Sequence, residues 1–263
     1  MKNINFNKIF YKKGYIISRI ENLNNFKKIE NQITKIILKF LNIKKKPYFF
    51  LENLHKYISN KEINQLRVNV YKQLNQKKWF REAYFSLAKN SIKNIVGSEL
   101  AMQNNINFSF QLPNDRNSQL SLHTDSLSGE SIFQIVLWVP LMNVHRSNSM
   151  YVMSKEDSID GINNIKKFSD RGISKILNKN KNVKFLNIKK KHFLIFSPNL
   201  LHGNIVNTTK ITRISMNARF KNLFSPYNKD KNFFAKRIGY FYNPISMKPV
   251  TKFSLEFKIP DEF

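Results

Sequence analysis

Three side chains in this sequence have the types and the spacing of a metal site. His123 and Asp125 are two residues apart, so in an extended segment both side chains lie on the same side. A third donor, His202, follows a strand-like run and the turn Ser197-Pro198. Two histidines and one carboxylate, with the other coordination positions open, are the ligand set that holds mononuclear non-heme iron. The sequence therefore predicts a metal site at His123, Asp125 and His202.

The absence of cysteine and the places of the other histidines narrow the search. The chain has 263 residues and no cysteine, which excludes disulfides, thiolate zinc sites, iron–sulfur clusters and a cysteine nucleophile. Any metal must therefore be bound by His, Asp or Glu. His55 lies in an apolar helix-like segment, His145 in a loop and His192 at the start of a strand. We expect none of these three to bind a metal.

A second polar cluster begins eleven residues after His202. From residue 213 to residue 220, polar and apolar residues alternate, as they do in a strand whose two faces differ. Such a polar face within an apolar sheet requires a polar cavity, because burial without hydrogen-bond partners is unfavourable. An arginine beside a serine on that face can bind a dicarboxylate through charge-assisted hydrogen bonds. The polar face comprises Arg213, Ser215, Asn217 and Arg219.

Other polar residues are predicted to complete the site. Asn107 and Gln111 share one face of an earlier strand that leads toward His123, and we predict that they contact a cosubstrate or the substrate. Asn217 and Arg219 are predicted to contact the substrate, and the alternative for Arg219 is a salt bridge to an Asp or Glu. Trp138, in VLWVPL, is predicted to be a core residue rather than a platform for the substrate.

The elements that must position these side chains change in character at Gly97. Before it, apolar residues at helical spacing predict a largely helical part, with one short strand over 14–20. After it, alternating β-branched and aromatic residues predict strands. Strands after helices predict an α+β fold that is mainly β, a sandwich or jelly roll with helices packed outside. The predicted helices span 23–41, 62–74 and 79–96, the predicted strands 103–111, 132–142, 149–153, 183–188, 192–196 and 211–220, and the predicted exposed loops 178–184 and 227–232.

We expect one domain in three parts. Residues 1–97 form the helical part, 98–225 the jelly-roll core with the metal site, and 226–263 a C-terminal extension. Residues 1–20 contain no apolar run of signal-peptide length, and the longest apolar stretch, 132–142, is too short to span a bilayer. We therefore expect a cytoplasmic protein without a membrane span.

The net charge of +28, from 45 Lys and Arg against 17 Asp and Glu, would suit a nucleic-acid partner. However, Lys, Asn and Ile, which share A/T-rich codons, number 36, 36 and 30, so a biased base composition accounts for much of this excess. No Lys occurs from Asn94 to Ser154, where two arginines stand against four acids. The basic excess flanks the predicted site, and the Lys runs 44–46 and 189–191 are predicted to be solvated surface.

Several motifs, taken in order, resemble a known family. HTD, LLHGN and TRISMNARF resemble the Fe(II)/2-oxoglutarate-dependent dioxygenases, and more closely their phytanoyl-CoA-dioxygenase-like branch. A narrower subgroup, the oxygenases encoded in bacterial surface-carbohydrate gene clusters, is similar in four longer strings. The resemblance covers Glu99 to Tyr227 and extends to the helical part only in pattern. The four strings are QLPNDRNSQLSLHTDSLSGES, VLWVPL, FSPNLLHGN and RISMNARFKNLFSPY.

The resemblance implies both a fold and an activity. The fold is a double-stranded β-helix, the jelly-roll or cupin-like core. His123, Asp125 and His202 would bind Fe(II), and Arg213 would pair with the distal carboxylate of 2-oxoglutarate, with Ser215 hydrogen-bonded to it. The implied reaction uses O2 and hydroxylates a C–H bond of a carbohydrate or related small molecule, with succinate and CO2 as co-products. Because Asp125 keeps the carboxylate ligand, halogenation is not expected.

Two alternatives remain. One is a nucleic-acid demethylase of the AlkB type, which the net charge and the six-residue interval from Arg213 to Arg219 favour. Against it, the region around the site is slightly acidic, and no aromatic and basic element is marked out to bind a flipped base. The other is a non-catalytic basic binding module. We expect a small-molecule substrate and no nucleic-acid partner.

Overall fold

The structure is a computed structural model, and it describes residues 5–164, 184–226 and 241–257. Its N-terminal part is helical, as predicted, with one short strand. A large antiparallel sheet and a small one follow, and the apolar core of the large sheet is continuous with that of the helices. The N-terminal elements are α1 (Phe6–Lys13), β1 (Tyr15–Arg19), α2 (Leu23–Phe40), α3 (Ile63–Asn75), α4 (Lys78–Ser86) and α5 (Lys89–Val96).

Helix α2 shows why the helical prediction holds. Its apolar residues recur every three or four positions, so they form one stripe, and Phe26, Ile29 and Ile33 are fully buried in the core. The helix begins where the Asn22 side chain accepts a hydrogen bond from the backbone N–H of Asn25, 2.9 Å away. It packs against α3 and α4. Sequence pattern and tertiary packing therefore agree for this helix.

The single helix predicted over 79–96 is wrong, because the chain breaks between α4 and α5. Ala88 has non-helical dihedral angles, φ −148° and ψ 28°. The new helix is capped from a distance: the Glu21 carboxylate accepts hydrogen bonds from the backbone N–H groups of Asn90 and Ser91, at 2.7 and 2.9 Å. A cap supplied by a residue about seventy positions away leaves no local sequence signal.

The strands form two antiparallel sheets within the described residues. The large sheet has the order β1-β7-β4-β9-β2-β10, with β3 also paired to β9, and the small sheet has the order β6-β5-β8. The strands are β2 (Leu100–Gln103), β3 (Asn107–Gln111), β4 (Gln134–Pro140), β5 (Tyr151–Val152), β6 (Lys184–Phe185), β7 (His192–Phe196), β8 (His202–Gly203), β9 (Arg213–Asn222) and β10 (Tyr242–Ser246).

The strand predicted over 103–111 is two strands joined by a bend. Both pair with β9, β3 at its start and β2 at its end. The Asn75 side chain holds the bend: its amide oxygen accepts from the Ile106 N–H at 2.8 Å, and its amide nitrogen donates to the Ile106 carbonyl at 3.0 Å. These bonds satisfy backbone groups that leave the sheet.

The C-terminal part is more than an appendage, because β10 adds a strand to the large sheet beside β2. A short helix, α7 (Pro249–Ser254), follows it; helix α6 (Lys155–Asn163) lies earlier in the chain.

Residues 178–183 and 227–232, predicted as loops, lie outside the described residues, and Lys184 lies in β6. Lys190, predicted to be solvated, forms an ion pair with Glu30 at 2.5 Å. No helix among the described residues has the length and apolarity to cross a membrane.

The helices cover one face of the large sheet. Phe80 of α4 stacks on Phe108 of β3, with ring centroids 6.0 Å apart, and Phe85 of α4 contacts Phe220 of β9 at 5.8 Å. The Tyr84 hydroxyl donates to the Leu137 and Met216 carbonyls at 2.9 and 3.2 Å. The apolar face of β9 is therefore occupied, and its polar face is turned toward the small sheet. This architecture confirms the predicted α+β class, an antiparallel core with helices packed outside.

Candidate metal centre

His123 and His202 are brought together by backbone pairing. Each N–H donates to the other residue's carbonyl, at 3.0 and 2.9 Å, which extends the small sheet by one bridge beyond β8. The two imidazole rings lie 4.4 Å apart, centroid to centroid. Residues 79 positions apart thus share one position of a sheet, and their side chains emerge on the same side.

Asp125 completes the cluster. Its backbone N–H donates to the Pro198 carbonyl at 3.0 Å, which fixes the chain just after His123. One carboxylate oxygen, Oδ1, lies 3.6 Å from His123 Nε2 and 3.8 Å from His202 Nε2. The three donor atoms all lie within 4.8 Å of one another. The structure therefore brings together the three residues that the sequence predicted.

Hydrogen bonds to backbone carbonyls orient both imidazoles. His123 Nδ1 lies 2.7 Å from the Ser121 carbonyl, and His202 Nδ1 lies 2.8 Å from the Leu200 carbonyl. A carbonyl only accepts, so each Nδ1 carries the proton and each Nε2 presents its lone pair toward Asp125. This is the tautomer that a metal ligand needs.

The protonation of the three donors follows from their surroundings. Burial favours the neutral form of Asp125, but the nearby His123 and the charge of Arg219 outweigh it and hold the pKa of Asp125 well below its usual range. The nearby Asp125 carboxylate raises the pKa of His123, and burial lowers the pKa of His202 to about 4. Asp125 is therefore ionised and His202 neutral at neutral pH, as ligands of a divalent metal must be.

A cavity of about 190 Å³ lies beside the three donors, between the two sheets. Its wall includes Trp138, which is 6% exposed and was predicted to be a core residue. Trp138 is indeed buried, but it borders the cavity rather than only the core. The complete lining is Asn107, Ser109, Leu120, His123, Asp125, Val136, Trp138, Met150, Phe196, His202, Gly203, Asn204, Arg213, Asn217 and Arg219.

Among the described residues, Arg213 is a buried cation without a counter-charge. It is 3% exposed, its Nη2 donates to the Ser109 hydroxyl at 3.0 Å, and its Nε has no hydrogen-bond partner there. Among the described residues, no carboxylate lies within ion-pair distance of it. Burial lowers the pKa of Arg213 to about 10, so it remains charged at neutral pH. The hydroxyl of Ser215, two residues along, is also buried, and it has no partner in the part of the chain that the structure describes.

Arg219 has the opposite environment. Its Nη2 donates to Asp125 Oδ2 at 2.8 Å, and its Nε lies 3.6 Å from a Glu130 carboxylate oxygen. Burial lowers the pKa of Arg219, but the charges of Asp125 and Glu130 outweigh it and raise that pKa above its usual value. Glu130 in turn accepts from the Tyr242 hydroxyl at 3.1 Å and the Gln134 amide at 3.2 Å. Arg219 is therefore anchored to a metal-site residue, whatever it contacts in a bound substrate.

The other predicted site residues divide into two groups. Asn107 and Asn217 line the cavity and lie 3.4 Å apart, amide nitrogen to amide oxygen. Gln111 is fully buried, and its amide donates to the Ile205 carbonyl at 2.7 Å, away from the cavity lining. Ser109 and Glu130 were not singled out in the sequence, although Ser109 shares the polar face of β3 with Asn107 and could have been found from that alternation.

The remaining histidines lie elsewhere. His55 Nδ1 lies 3.0 Å from the Thr212 hydroxyl, in a short 3-10 helix, Leu54–Lys56. His145 begins another 3-10 turn, Arg146–Asn148, and His192 begins β7 with its Nδ1 3.3 Å from the Lys190 carbonyl. None of the three contributes to the donor cluster found among the described residues.

No family model matches the sequence, and neither does any of the curated proteins compared with it. Solved structures match it by fold. The non-heme monooxygenase ThoJ in its apo form aligns with 84% of this chain and 79% of its own, at a TM-score of 0.56 and 10% identity. The chain therefore has the fold of this monooxygenase.

Two further structures agree. EctD from S. alaskensis, solved with 2-oxoglutarate and 5-hydroxyectoine, aligns with 86% of this chain and 80% of its own, at a TM-score of 0.55 and 12% identity. HygX from Streptomyces hygroscopicus, solved with nickel and 2-oxoglutarate, aligns with 90% of this chain and 95% of its own, at 0.52 and 10%. At this level of identity the likeness concerns the fold, and it confirms the predicted jelly-roll core.

Proposed function

We propose that the chain is an Fe(II)- and 2-oxoglutarate-dependent oxygenase that hydroxylates a C–H bond of a carbohydrate or related small molecule. The observation that carries this proposal is the convergence of the His123, Asp125 and His202 donor atoms within 4.8 Å, beside a cavity that contains the buried, uncompensated Arg213. One end of this cavity suits a metal, and the other suits an anion.

The donor set fits Fe(II). Two imidazoles offer Nε2 lone pairs, and Asp125 offers Oδ1, because its other oxygen is held by Arg219 at 2.8 Å. Two neutral nitrogens and one carboxylate oxygen on one side of an ion leave its other positions free for further ligands. Arg219, held by Glu130 as well, keeps the carboxylate from turning away from the imidazoles.

Arg213 fits the cavity to 2-oxoglutarate. Arg213 lines the cavity, and Ser215 lies two residues along on the same strand face, outside the cavity lining. Within the described part of the chain, Arg213 Nε and Ser215 Oγ are buried polar atoms without partners, and such atoms are unfavourable unless a ligand satisfies them. A carboxylate accepts charge-assisted hydrogen bonds from a guanidinium and a further bond from a hydroxyl. We therefore assign Arg213 and Ser215 to the distal carboxylate of 2-oxoglutarate, with the cosubstrate's other end directed to the metal ligands.

Iron and 2-oxoglutarate, when bound, supply the chemistry that inserts an oxygen atom from O2 into a C–H bond and releases succinate and CO2. The chain's own residues bind and orient. His123, Asp125 and His202 hold the metal, and Arg213 fixes the cosubstrate. Trp138, which is buried, closes part of the cavity against water.

The substrate assignment rests on the sequence. The resemblance over Glu99 to Tyr227 to oxygenases of surface-carbohydrate gene clusters supports a step in surface polysaccharide biosynthesis, carried out in the cytoplasm. Asn107 and Asn217, whose carboxamides both donate and accept hydrogen bonds, line the cavity and suit a hydroxylated substrate.

Anaerobic titration tests the site. Fe(II) and 2-oxoglutarate, added together without oxygen, are expected to give a visible charge-transfer band that His123→Ala and His202→Ala abolish. Arg213→Ala should require far more 2-oxoglutarate to produce it. His192→Ala is the matched control, because His192 lies outside the cavity. A band that survives all three substitutions would contradict the site assignment, and no band in the unaltered protein would favour the non-catalytic binding module.

A further inference from the structure

A second, larger cavity adjoins the cavity beside His123, Asp125 and His202, which we call the metal cavity. It has a volume of about 720 Å³ and shares Ser109, Leu120 and Asn217 with the lining of the metal cavity. The remaining lining comes from the start of α3 on one side and from the segment around residues 115–119 on the other. We call this second cavity the outer groove; its other lining residues are Asn60, Lys61, Ile63, Asn64, Arg67, Phe108, Phe110, Asp115, Asn117, Ser118 and Gln119.

The volumes divide the site between cosubstrate and substrate. The metal cavity, at about 190 Å³, is much smaller than the outer groove, at about 720 Å³. The smaller space suits a small dicarboxylate, and the larger one suits a larger molecule. A separate apolar cavity of about 600 Å³, lined by Phe10, Tyr11 and Leu200 among others, shares no lining residue with the metal cavity. A cavity of about 1050 Å³, lined by His145 and Thr208 among others, likewise shares none. The outer groove shares three lining residues with the metal cavity, so we assign the substrate to it.

Amide and hydroxyl side chains make up half of the residues that line the outer groove, beside the buried Ile63 and the exposed Leu120. Carboxamides both donate and accept hydrogen bonds, as do the hydroxyl groups of a sugar or another polyol. The two aromatic rings in the lining, Phe108 and Phe110, are each only 4% exposed, so they offer little apolar contact. Its neutral polar side chains are those of Asn60, Asn64, Ser109, Asn117, Ser118, Gln119 and Asn217.

The charges of the outer groove are unbalanced. Neither Lys61 nor Arg67 forms an ion pair within the part of the chain that the structure describes. Arg67 is held in place by Asn64, whose amide oxygen accepts from Nε at 3.1 Å and from Nη2 at 2.7 Å, and its Nη1 is left for another partner. The one acid in the lining, Asp115, is buried and accepts the Asn117 N–H of its own loop at 2.9 Å.

We propose that the outer groove binds a polyhydroxylated substrate that carries a phosphate or carboxylate group. The charged group lies at Lys61 and Arg67, and the carbon to be oxidised lies at the Ser109 and Asn217 end, next to the metal cavity. The position of the reacting carbon rests on the proposed function, whereas the recognition of an anionic polyol rests on the groove itself. A free sugar phosphate, a nucleotide sugar and a sugar acid all share this chemistry.

Calorimetric titration with defined probes tests the proposal. Glucose, glucose 1-phosphate, glucuronate and UDP-glucose are titrated anaerobically into the protein loaded with Fe(II) and 2-oxoglutarate. At least one charged probe is expected to bind more tightly than glucose, and the strongest of the three identifies the source of the anionic group. Arg67→Ala and Lys61→Ala should each weaken the charged probe about tenfold, as expected for one charge-assisted hydrogen bond, without changing the affinity for glucose.

Lys72→Ala is the matched control. Lys72 lies on the same helix, α3, and is exposed, but it does not line the outer groove. It should leave every affinity unchanged, and Arg67→Lys should retain part of the affinity because the positive charge remains. Equal losses in Lys72→Ala and Arg67→Ala would mean that only the overall charge attracts the probes, and the proposal would be wrong. It would also be wrong if no charged probe bound more tightly than glucose.

The same titrations without Fe(II) and 2-oxoglutarate separate this proposal from the proposed function. If the charge-transfer band is absent but Arg67 still determines the affinity for a charged probe, the oxygenase assignment fails and the groove assignment stands. If the band forms but no probe depends on Lys61 or Arg67, the oxygenase assignment stands and the groove assignment fails.

Discussion

Strand β9 carries two arginines in opposite settings, Arg213 at its start and Arg219 three residues before its end. Arg213 and Arg219 are six residues apart and lie on the same face of the strand, and both line the metal cavity. Arg219 is neutralised by the protein, through Asp125 at 2.8 Å and Glu130 at 3.6 Å. Within residues 5–164, 184–226 and 241–257, the side chain of Arg213 is bonded only to the Ser109 hydroxyl, at 3.0 Å, and its Nε has no hydrogen-bond partner.

This difference distinguishes a charged side chain that stabilises the fold from one that binds a ligand. A buried charge that the protein pairs belongs to the fold, because loss of one partner leaves the other charge uncompensated. A buried charge without a counter-charge destabilises the ligand-free protein, and it is retained where a ligand supplies the missing partner. Loss of Arg219 and loss of Arg213 should therefore change the free energy of unfolding in opposite directions.

The largest effect is expected at Arg219. Arg219→Leu leaves Asp125 and Glu130 buried near each other without the cation between them, and the free energy of unfolding should fall by about 3–5 kcal/mol. Urea denaturation of the metal-free protein measures this change. Arg81→Leu is the comparison, because Arg81 is a half-buried arginine bonded to backbone carbonyls and, among the described residues, in no ion pair. A loss at Arg219 below about 1 kcal/mol would show that the pair contributes little.

The opposite sign is expected at Arg213. Arg213→Met replaces an unpaired buried cation with an apolar side chain of similar length, so the free energy of unfolding of the ligand-free protein should stay constant or rise, by up to about 2 kcal/mol. The affinity for 2-oxoglutarate should fall about 100-fold, which corresponds to about 2.7 kcal/mol and lies within the range for hydrogen bonds to charged groups.

Arg213→Lys separates charge from geometry. Lysine keeps the positive charge but lacks the planar guanidinium, so its affinity for 2-oxoglutarate should lie between those of the unaltered protein and Arg213→Met. Urea denaturation and 2-oxoglutarate titration on the same preparations measure both quantities. A large loss of stability in Arg213→Met would mean that Arg213, like Arg219, belongs to the fold, and the contrast between the two arginines would disappear.

The sequence predicts the environment of Arg213 better than that of Arg219, for a physical reason. Strand alternation places Arg213, Ser215 and Arg219 on one face, and the role proposed for Arg213 needs little more, because the proposed partner of Arg213 is a ligand. The environment of Arg219 depends on Asp125 and Glu130, which are 94 and 89 positions away in the chain. No local pattern contains such a pair.

The same limit explains the other differences between prediction and structure. Gln111 shares a face with Asn107, as alternation predicts, yet its amide is bonded to the Ile205 carbonyl, because alternation gives the face and not the position along the cavity. The break between α4 and α5 depends on Glu21, and the bend between β2 and β3 depends on Asn75. In each case a distant polar side chain satisfies backbone groups that periodicity alone assigns to a continuous element.

A smaller effect is expected at Glu130, the second acid beside Arg219. Glu130→Gln removes one negative charge but preserves the shape of the side chain and the closer Asp125 contact, so the free energy of unfolding should fall by about 1–2 kcal/mol. The affinity for Fe(II) should fall only a few-fold, since Asp125 keeps its partner. If Glu130→Gln destabilised the protein as much as Arg219→Leu, the Asp125 contact would not be the main partner of Arg219.

The smallest effect is expected at Ser215, the second residue that we assign to the distal carboxylate of 2-oxoglutarate. The Ser215 hydroxyl is buried without a partner in the ligand-free protein, so Ser215→Ala should leave the free energy of unfolding unchanged or slightly raised. The affinity of Ser215→Ala for 2-oxoglutarate should fall about fivefold, because one neutral hydrogen bond is worth about 1 kcal/mol.

Ser109→Ala is the matched control. It removes the hydroxyl that accepts from Arg213 Nη2 at 3.0 Å, so it should destabilise the ligand-free protein, whereas Ser215→Ala should not. A measurable loss of stability in Ser215→Ala would show that this hydroxyl already has a partner before 2-oxoglutarate binds, and the anion site would then consist of Arg213 alone.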